Sequence, residues 1–462
     1  MSLRSLALGV LALAQLPLLT AQSPGSPVLI KDARIVTAAG PVIDKGSVLI
    51  RNGLIADVGP SVQAPAGAWV IEGAGLTVYP GLIDALSSWG LPSAAPTAGP
   101  AGASAGARAQ AQPAQPRSRG PEDRPQTSSW VRAADLVQAS DRRLDTARSA
   151  GFTTAVTFPK DGIVAGHGAA INLGGATSGA MVLDASTGLY VAMRSGRGGG
   201  GGGFPSSLMG VMAYVRQLWM DAQWYKSALE TYEKNPQAGP RPAYDRAAEG
   251  VLAARRVLLP ASSRVEIARM ITFSAALKTP VVLYGGHEAF RSVDLIKAAN
   301  LPVIVNVKWP TKERDADPEF KDTYRTLETR DKAPSSPVEL AKAGVPFAFT
   351  SDGLDSPADL VKAVKKSIDA GLKKEDAIAA LTINAARIYS LDRRIGSIET
   401  GKIANLAVVK GDLFDASSKV EMVFIDGVKY APAPEAPAPA GGAPGGGRRP
   451  GDAAENNDEV NR

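Results

Sequence analysis

The sequence of 462 residues contains no cysteine. It therefore forms no disulfide bonds, and the fold must depend on its hydrophobic core. A cysteine is also the attachment point for an N-terminal lipid anchor, so we expect none here. Beyond the N-terminal segment, no apolar run approaches the roughly 20 residues that a membrane span requires.

Histidine is nearly absent, since His167 and His287 are the only two. This scarcity limits metal chemistry, because a catalytic zinc site uses about three protein ligands. The net charge is +6, but no basic face is interleaved with aromatic residues. We therefore expect no nucleic-acid partner.

The first 21 residues have the pattern of a secretory signal peptide. Arg4 supplies a positive start, Leu6 to Leu13 are apolar, and Ala21 is a small residue at a plausible cleavage point. The alternative is an uncleaved membrane anchor, although Pro17 interrupts the apolar run. We expect an exported protein, periplasmic or secreted, with no membrane span after the signal is removed.

Three segments have compositions that do not favour a packed core. Residues 92–126 and 431–462 are rich in alanine, glycine and proline, and residues 198–203 are six consecutive glycines. Such segments bury too little apolar surface to fold alone. We expect a disordered insertion, a disordered tail and a mobile loop, respectively.

Short segments of alternating apolar and polar residues lie near both ends of the chain. They occupy residues 28–78 and 395–430, and Asn52-Gly53 within the first group is a strong hairpin signal. We expect the two groups to pair into a small composite β-sandwich domain.

Between these groups, buried strands alternate with helices. The strand segments are RRVLLPA, PVVLY, PVIVNV and PFAFT. Ser263 and Glu266 form a capping-box pair, and Ser336 before Pro337 predicts another helix that ends at Gly344. Strict alternation requires a parallel sheet with helices outside, and a closed barrel over residues 79–394 is favoured. Functional side chains would then follow the C-terminal ends of the strands.

Three further segments of the chain resemble the amidohydrolase superfamily. They are TVYPGLID (Thr77 to Asp84), FTSDG (Phe349 to Gly353) and LTINAARIYSLDRRIGSIETGKIANLAVV (Leu381 to Val409). GFTTAVTFP and GHGAAINLGG resemble its imidazolonepropionase-like branch. The resemblance implies an α/β fold with a (β/α)8 TIM-like barrel. It also implies one or two divalent metal ions, such as zinc, that activate water to hydrolyse carbon–nitrogen bonds.

Most of the implied metal ligands are missing. The His-x-His pair of the family falls on Leu86 and Ser88, and the fifth-strand histidine falls near Pro260. The sixth-strand position lies at His287, and the eighth-strand aspartate is Asp352. We therefore expect a degenerate metal site with at most one divalent metal, held by His287 and Asp352.

Two further residues bear on this comparison. Glu288, next to His287, is a third candidate ligand. The fourth-strand lysine of the family has no assigned equivalent, because Lys160 ends what looks like an earlier strand.

Each candidate also has a structural interpretation. Asp352 is a remnant metal ligand or general base, or else a polar loop residue that accepts hydrogen bonds from backbone N–H groups. His287 is a ligand or proton carrier, or else a turn residue near a helix start. His167, between Gly166 and Gly168, is expected in a turn.

Two functions remain open from the sequence. The first is an exported hydrolase of carbon–nitrogen bonds, in non-peptide or cyclic amides, whose activity at Asp352 is weak or lost. The second is a non-catalytic pseudoenzyme that binds a small ligand, forms a homo-oligomer or pairs with an active amidohydrolase subunit. The missing ligands favour the second for the chemistry, whereas the family resemblance favours the first as a description of ancestry.

Overall fold

Two β-sheets organise the described part of the chain. The computed structural model describes residues 26–92, 121–193, 204–237, 239–312, 319 and 321–432. The strands are β1 (Val28–Ile35), β2 (Ile43–Arg51), β3 (Leu54–Gly59), β4 (Trp69–Glu72), β5 (Leu76–Pro80), β6 (Leu82–Ser87), β7 (Phe152–Thr157), β8 (Val164–Asn172), β9 (Val182–Val191), β10 (Val257–Ala261), β11 (Val281–Gly285), β12 (Val303–Asn306), β13 (Phe347–Thr350), β14 (Leu406–Lys410), β15 (Lys419–Ile425) and β16 (Val428–Tyr430).

Helices connect or cover these strands. They are α1 (Ala133–Leu136), α2 (Arg143–Ser149), α3 (Ser178–Met181), α4 (Leu208–Lys234), α5 (Arg246–Leu252), α6 (Arg264–Leu277), α7 (Val293–Ala299), α8 (Tyr324–Lys332), α9 (Ser336–Ala343), α10 (Ala358–Asp369), α11 (Lys374–Leu381) and α12 (Ile383–Ile388). Within the described ranges, no helix is both long and apolar enough to cross a membrane.

The first sheet joins the two ends of the described chain. Its order is β16-β15-β14-β5-β1-β2-β3, with β4 beside β1. The pairing of β5 with β14 brings the two terminal groups together as predicted. Asn52 and Gly53 both have positive φ angles in the β2–β3 hairpin, which confirms the turn signal. The strands make one hydrogen-bonded sheet, and a separate β-sandwich domain is not confirmed.

The second sheet is a nearly closed barrel of eight strands in sequential order from β6 to β13. Parallel pairing runs from β9 through β13, as the alternation of strands and helices predicted. However, β8 is antiparallel to both β7 and β9, so the barrel departs from eight parallel strands. The physical reason is the short connection at residues 158–163, because a parallel crossover takes a dozen or more residues.

The interior of this barrel is filled by apolar and aromatic side chains. Tyr190 stacks on Tyr284 with ring centroids 5.1 Å apart, and Phe158 lies 6.0 Å from Tyr190 and 6.3 Å from Tyr389. Leu86 of β6 is fully buried in the same cluster. The barrel is therefore a packed core, and its polar groups gather at the strand ends.

The helix starts were predicted with mixed success. The Ser263–Glu266 capping box is present at the start of α6, and Gly344 ends α9 with φ of 72°. Ser336 does not cap α9. Its hydroxyl instead donates to the His287 carbonyl oxygen at 2.9 Å and accepts from the Phe290 N–H.

The predicted insertion at residues 92–126 extends too far. Residues 93–120 lie outside the described part, but Pro121–Asp123 form a 3-10 turn. Arg124 then pairs with Asp221 at 2.6 Å and Asp245 at 2.9 Å, with only 23% of its side chain exposed. These ion pairs fasten the end of the segment to α4 and α5.

Other predicted segments fall outside the description. The predicted signal peptide at residues 1–21 and the glycine run at 198–203 are not described, and neither is the predicted tail beyond residue 432.

Candidate functional site

Polar side chains meet at the C-terminal ends of the barrel strands. Lys160 follows β7, His287 follows β11, Asn306 ends β12 and Asp352 follows β13. Because these four strands run in the same direction, their C-terminal ends open at one edge of the barrel, the barrel mouth. This is where catalytic and binding residues lie in barrel enzymes.

An ion pair between Lys160 and Asp352 occupies the barrel mouth. The Lys160 ammonium donates to Asp352 Oδ1 at 2.5 Å. The two side chains are 26% and 30% exposed, so the pair is partly shielded from water. Asp352 was predicted as a site residue, but its partner was not.

Asn306 fixes the backbone around this ion pair. Its Nδ2 donates to the Asp352 carbonyl oxygen at 3.0 Å, and its Oδ1 accepts from the Lys308 N–H at 2.8 Å. The Lys308 side chain lies against Gly353, where a Cβ would be 3.2 Å from Cδ of the lysine. A second ammonium group is thereby held beside the turn that carries Asp352.

A buried carboxyl group lies next to the turn that carries Asp352. Asp84 in β6 is fully buried, and it accepts hydrogen bonds from the Leu86 N–H, the Ser351 N–H and the Ser351 hydroxyl. Burial raises the pKa of Asp84 to about 6, although the hydrogen bonds from Ser351 and Leu86 and the charge of Lys160 oppose the rise. Asp84 was not predicted as a site residue. The signal was a lone charged residue within an apolar strand.

His287 packs beside the end of β12. Within the described chain no hydrogen bond joins it to Asp352, and its Nε2 is buried without a hydrogen-bond partner. Its ring packs against Trp309 with centroids 6.2 Å apart. Burial lowers the pKa of His287, and the main chains of Asn306 and Lys308 oppose this shift. Its imidazole is therefore disposed to be neutral.

Glu288 is not available as a metal ligand. Its Oε2 accepts from the Arg264 N–H at 2.7 Å and from Arg325 at 3.1 Å, and its Oε1 accepts from the Thr329 hydroxyl at 3.0 Å. Burial opposes ionisation, yet these donors hold the pKa of Glu288 below its ordinary value. Its carboxylate is thus already satisfied.

His167 was predicted in a turn, and this was wrong. It lies inside β8, 3% exposed, where Nε2 donates to the Gly250 carbonyl oxygen at 2.8 Å. Burial lowers the pKa of His167. Gly168 permits the close packing, because a Cβ there would be 2.2 Å from the Phe158 ring. The hydrogen bond joins β8 to α5.

Comparison with known proteins shows what this chain is similar to. The model of the amidohydrolase family matches residues 266–429, a segment that contains β11 to β15 and the Asp352 turn. This segment is therefore similar to the amidohydrolase family. Beyond this segment, the fold of the protein is similar to that of an amidohydrolase from Thermotoga maritima, with a TM-score of 0.69 and 24% identity. That likeness covers 88% of this chain and all of the other.

Curated relatives match over shorter stretches. A dihydroorotase from Geobacter sulfurreducens is 42% identical over 57 residues, which is 12% of this chain and 13% of that protein. An adenine deaminase from Clostridium botulinum is 28% identical over 142 residues, which is 30% of this chain and 22% of that protein. The matches thus span less than a quarter of these relatives.

The residues at the positions of the amidohydrolase metal ligands do not fit a binuclear centre in this chain. Leu86 is an apolar side chain inside the barrel core, and Ser88 accepts a hydrogen bond from Arg143 at 3.3 Å. Pro260 at the end of β10 offers no side-chain donor. Across the described ranges, no group of three or more histidine, aspartate or glutamate side chains could hold a metal ion. Of the mapped positions, His287 and Asp352 are the two whose side chains can bind a metal, and they have no third ligand among the described residues.

Proposed function

We propose that this protein is an amidohydrolase relative in which the Lys160 ammonium replaces the metal at the eighth-strand aspartate. Its barrel mouth binds a small molecule, and hydrolysis of carbon–nitrogen bonds is weak or lost. The observation that supports this proposal is the 2.5 Å contact between Lys160 and Asp352.

The ion pair opposes metal binding for electrostatic reasons. A divalent cation at Asp352 would lie beside an ammonium group, and like charges at such distances repel. The ammonium also neutralises the carboxylate, so Asp352 no longer needs a metal to offset its partial burial. The pair can instead present a donor and an acceptor to a polar ligand at the barrel mouth.

A second candidate function is residual hydrolysis with Asp352 as a general base. The partial exposure of its side chain, 30%, favours this alternative because water can reach the carboxylate. General-base catalysis contributes about 10²–10⁴-fold in rate. Such an enzyme would lack the larger contribution of a metal-activated nucleophile.

Metal analysis tests the first proposal directly. The protein would be purified after growth with added zinc or manganese, and its metal content measured by mass spectrometry. We expect less than one tightly bound ion per chain. A value close to two would rule out the replacement of the metal by Lys160.

An activity panel separates the two candidates. It would contain dipeptides, N-acyl-amino acids and cyclic imides, tested with the wild type, Asp352→Asn and His287→Ala. We expect little turnover by the wild type, and any turnover should be lost in Asp352→Asn. Asp355→Asn, an exposed carboxylate three residues away, serves as the control. Robust turnover that survives Asp352→Asn would locate the chemistry elsewhere.

Export and partner binding are further parts of this proposal. The signal-like pattern of residues 1–21 supports export, and the degenerate metal site is compatible with pairing to an active amidohydrolase or with a homo-oligomer. Intact-mass analysis of the protein from each cell fraction should show an exported form that lacks these residues. An unprocessed chain found inside the cell would contradict export.

A further inference from the structure

A cavity of about 450 Å³ lies at the N-terminal end of the barrel strands, opposite the barrel mouth. Pro302 immediately precedes β12, and residues 344–346 immediately precede β13. Helices α9, α11 and α12 supply the remaining wall. The volume is within the range of about 300–1,000 Å³ that is usual for small-molecule sites.

One part of this cavity is apolar. Val345, Phe347 and Ile388 line it, and each is less than 9% exposed. Pro302 and Pro346 extend the same surface. An aliphatic or aromatic group placed here would lose contact with water, which is favourable by about 25 cal/mol per Å² of apolar surface.

The other part of the cavity carries three polar residues. Asp376 belongs to α11, and Asn384 and Arg387 belong to α12. Within the described chain, none of these side chains has a hydrogen-bond or ion-pair partner. Asp376 and Arg387 have opposite charges and line one cavity, yet they are not within the 4.0 Å of an ion pair. Both charges are therefore available to a ligand in the cavity.

The nearby Glu399 carboxylate does not form an ion pair with the Arg387 guanidinium. The pKa of Glu399 is held below its ordinary value by Lys402 and Ser397 and, to a smaller extent, by Arg387. The direct partner of Glu399 is Lys402, at 2.6 Å. The Arg387 guanidinium thus keeps its hydrogen-bonding capacity for another carboxylate, which it can bind through two parallel N–H groups.

We propose that this cavity binds an apolar α-amino acid. Arg387 binds the carboxylate, Asp376 binds the ammonium group, and Asn384 completes the polar contacts. The apolar side chain of the ligand packs against Phe347 and Ile388. The site is independent of the barrel mouth, because the four residues of β13 separate the two by roughly 13 Å.

The ligand side of the proposal can be tested on the wild-type protein alone. Calorimetry would use leucine, methionine, phenylalanine and proline, each up to about 10 mM, a range that detects millimolar dissociation constants. N-acetyl-leucine lacks the ammonium group and leucinamide lacks the carboxylate. We expect saturable binding of at least one amino acid and about tenfold weaker binding of the corresponding blocked forms. Absence of binding by all four amino acids, or equal binding of leucine and its blocked forms, would overturn the proposal.

Variants locate the site. Arg387→Gln and Asp376→Asn should each weaken binding by about ten- to a hundredfold. Glu375→Gln, on the first turn of the same helix, and Arg393→Gln, an exposed arginine nearby, should leave binding unchanged. Binding that is lost in Asp352→Asn but kept in Arg387→Gln would place the amino acid at the barrel mouth and refute this site, without affecting the function proposed there.

Discussion

Asp84 in the first barrel strand accepts hydrogen bonds from both the N–H and the hydroxyl of Ser351, directly after the last barrel strand. The N–H lies 3.2 Å from Oδ1 and 3.3 Å from Oδ2. Beside it, the Thr350 hydroxyl donates to the Leu86 carbonyl oxygen. These side-chain bonds join β6 to β13 where the barrel closes. They also hold the residue that immediately precedes Asp352.

The buried Asp84 carboxyl should make stability depend on pH. Burial raises its pKa from 3.8 to about 6, so between these values the folded protein retains a proton that the unfolded chain has released. Stability from this group is therefore full below about pH 4, falls as pH rises towards 6, and is level above that. The total change is about 3 kcal/mol.

Urea unfolding at pH 4.5 and pH 7.5 would measure this effect. Asp84→Asn stays neutral at both pH values, so the stability of the wild type relative to this variant should fall as pH rises. Asp161→Asn, an exposed carboxylate near Lys160, should keep the pH dependence of the wild type. If Asp84→Asn showed that same pH dependence, the raised pKa would be wrong.

The ion pair between Lys160 and Asp352 should be energetically coupled. A double-mutant cycle with Lys160→Met and Asp352→Asn would measure the coupling through unfolding free energies. We expect about 1 kcal/mol, because the pair is partly shielded from water. The exposed pair Lys365–Asp369 on α10, with a separation of 2.7 Å, should give only about 0.3–0.5 kcal/mol. Equal coupling in both pairs would indicate that Lys160 and Asp352 do not form a distinct contact in solution.

Local patterns in the sequence predicted much of the fold. Strand segments, the Asn52-Gly53 hairpin and the capping box at Ser263 each depend on neighbouring residues, and each is present in the structure. The direction of β8 was not predicted. A strand that is buried along its whole length has the same composition in either orientation. The short connection after β7 was the available signal.

The candidate site was harder to predict because its contacts are long-range. The resemblance gave the position of Asp352, but Lys160 lies 192 positions away in the sequence. Asp84 and Ser351 are separated by 267 positions. No periodicity or local motif reports such pairs. Only the folded barrel brings the ends of its first, second and last strands together.

Arg124 should stabilise the segment that precedes the second barrel strand. Its guanidinium links Asp221 on α4 to Asp245, whose side chain also caps α5. Arg124→Gln would leave two partly buried carboxylates without their partner, so we expect a loss of about 1–3 kcal/mol. Chemical unfolding would measure it, with exposed Arg142→Gln as the control. A loss no larger than that of the control would show that residues 121–126 contribute little to the fold.

Substitution of Leu86 tests whether the first barrel strand is retained for packing and no longer for metal binding. Leu86→His restores a family ligand type at a fully buried position among apolar side chains. We expect a loss of about 2–5 kcal/mol, since an apolar side chain is removed from a packed core and an unpartnered imidazole is buried. Ser88→His, at a half-buried position beside Arg143, should cost much less. Unfolding with and without added zinc would distinguish packing from metal binding. Zinc-dependent stabilisation of Leu86→His would mean that the barrel mouth still supports a metal centre, and the proposed replacement by Lys160 would then fail.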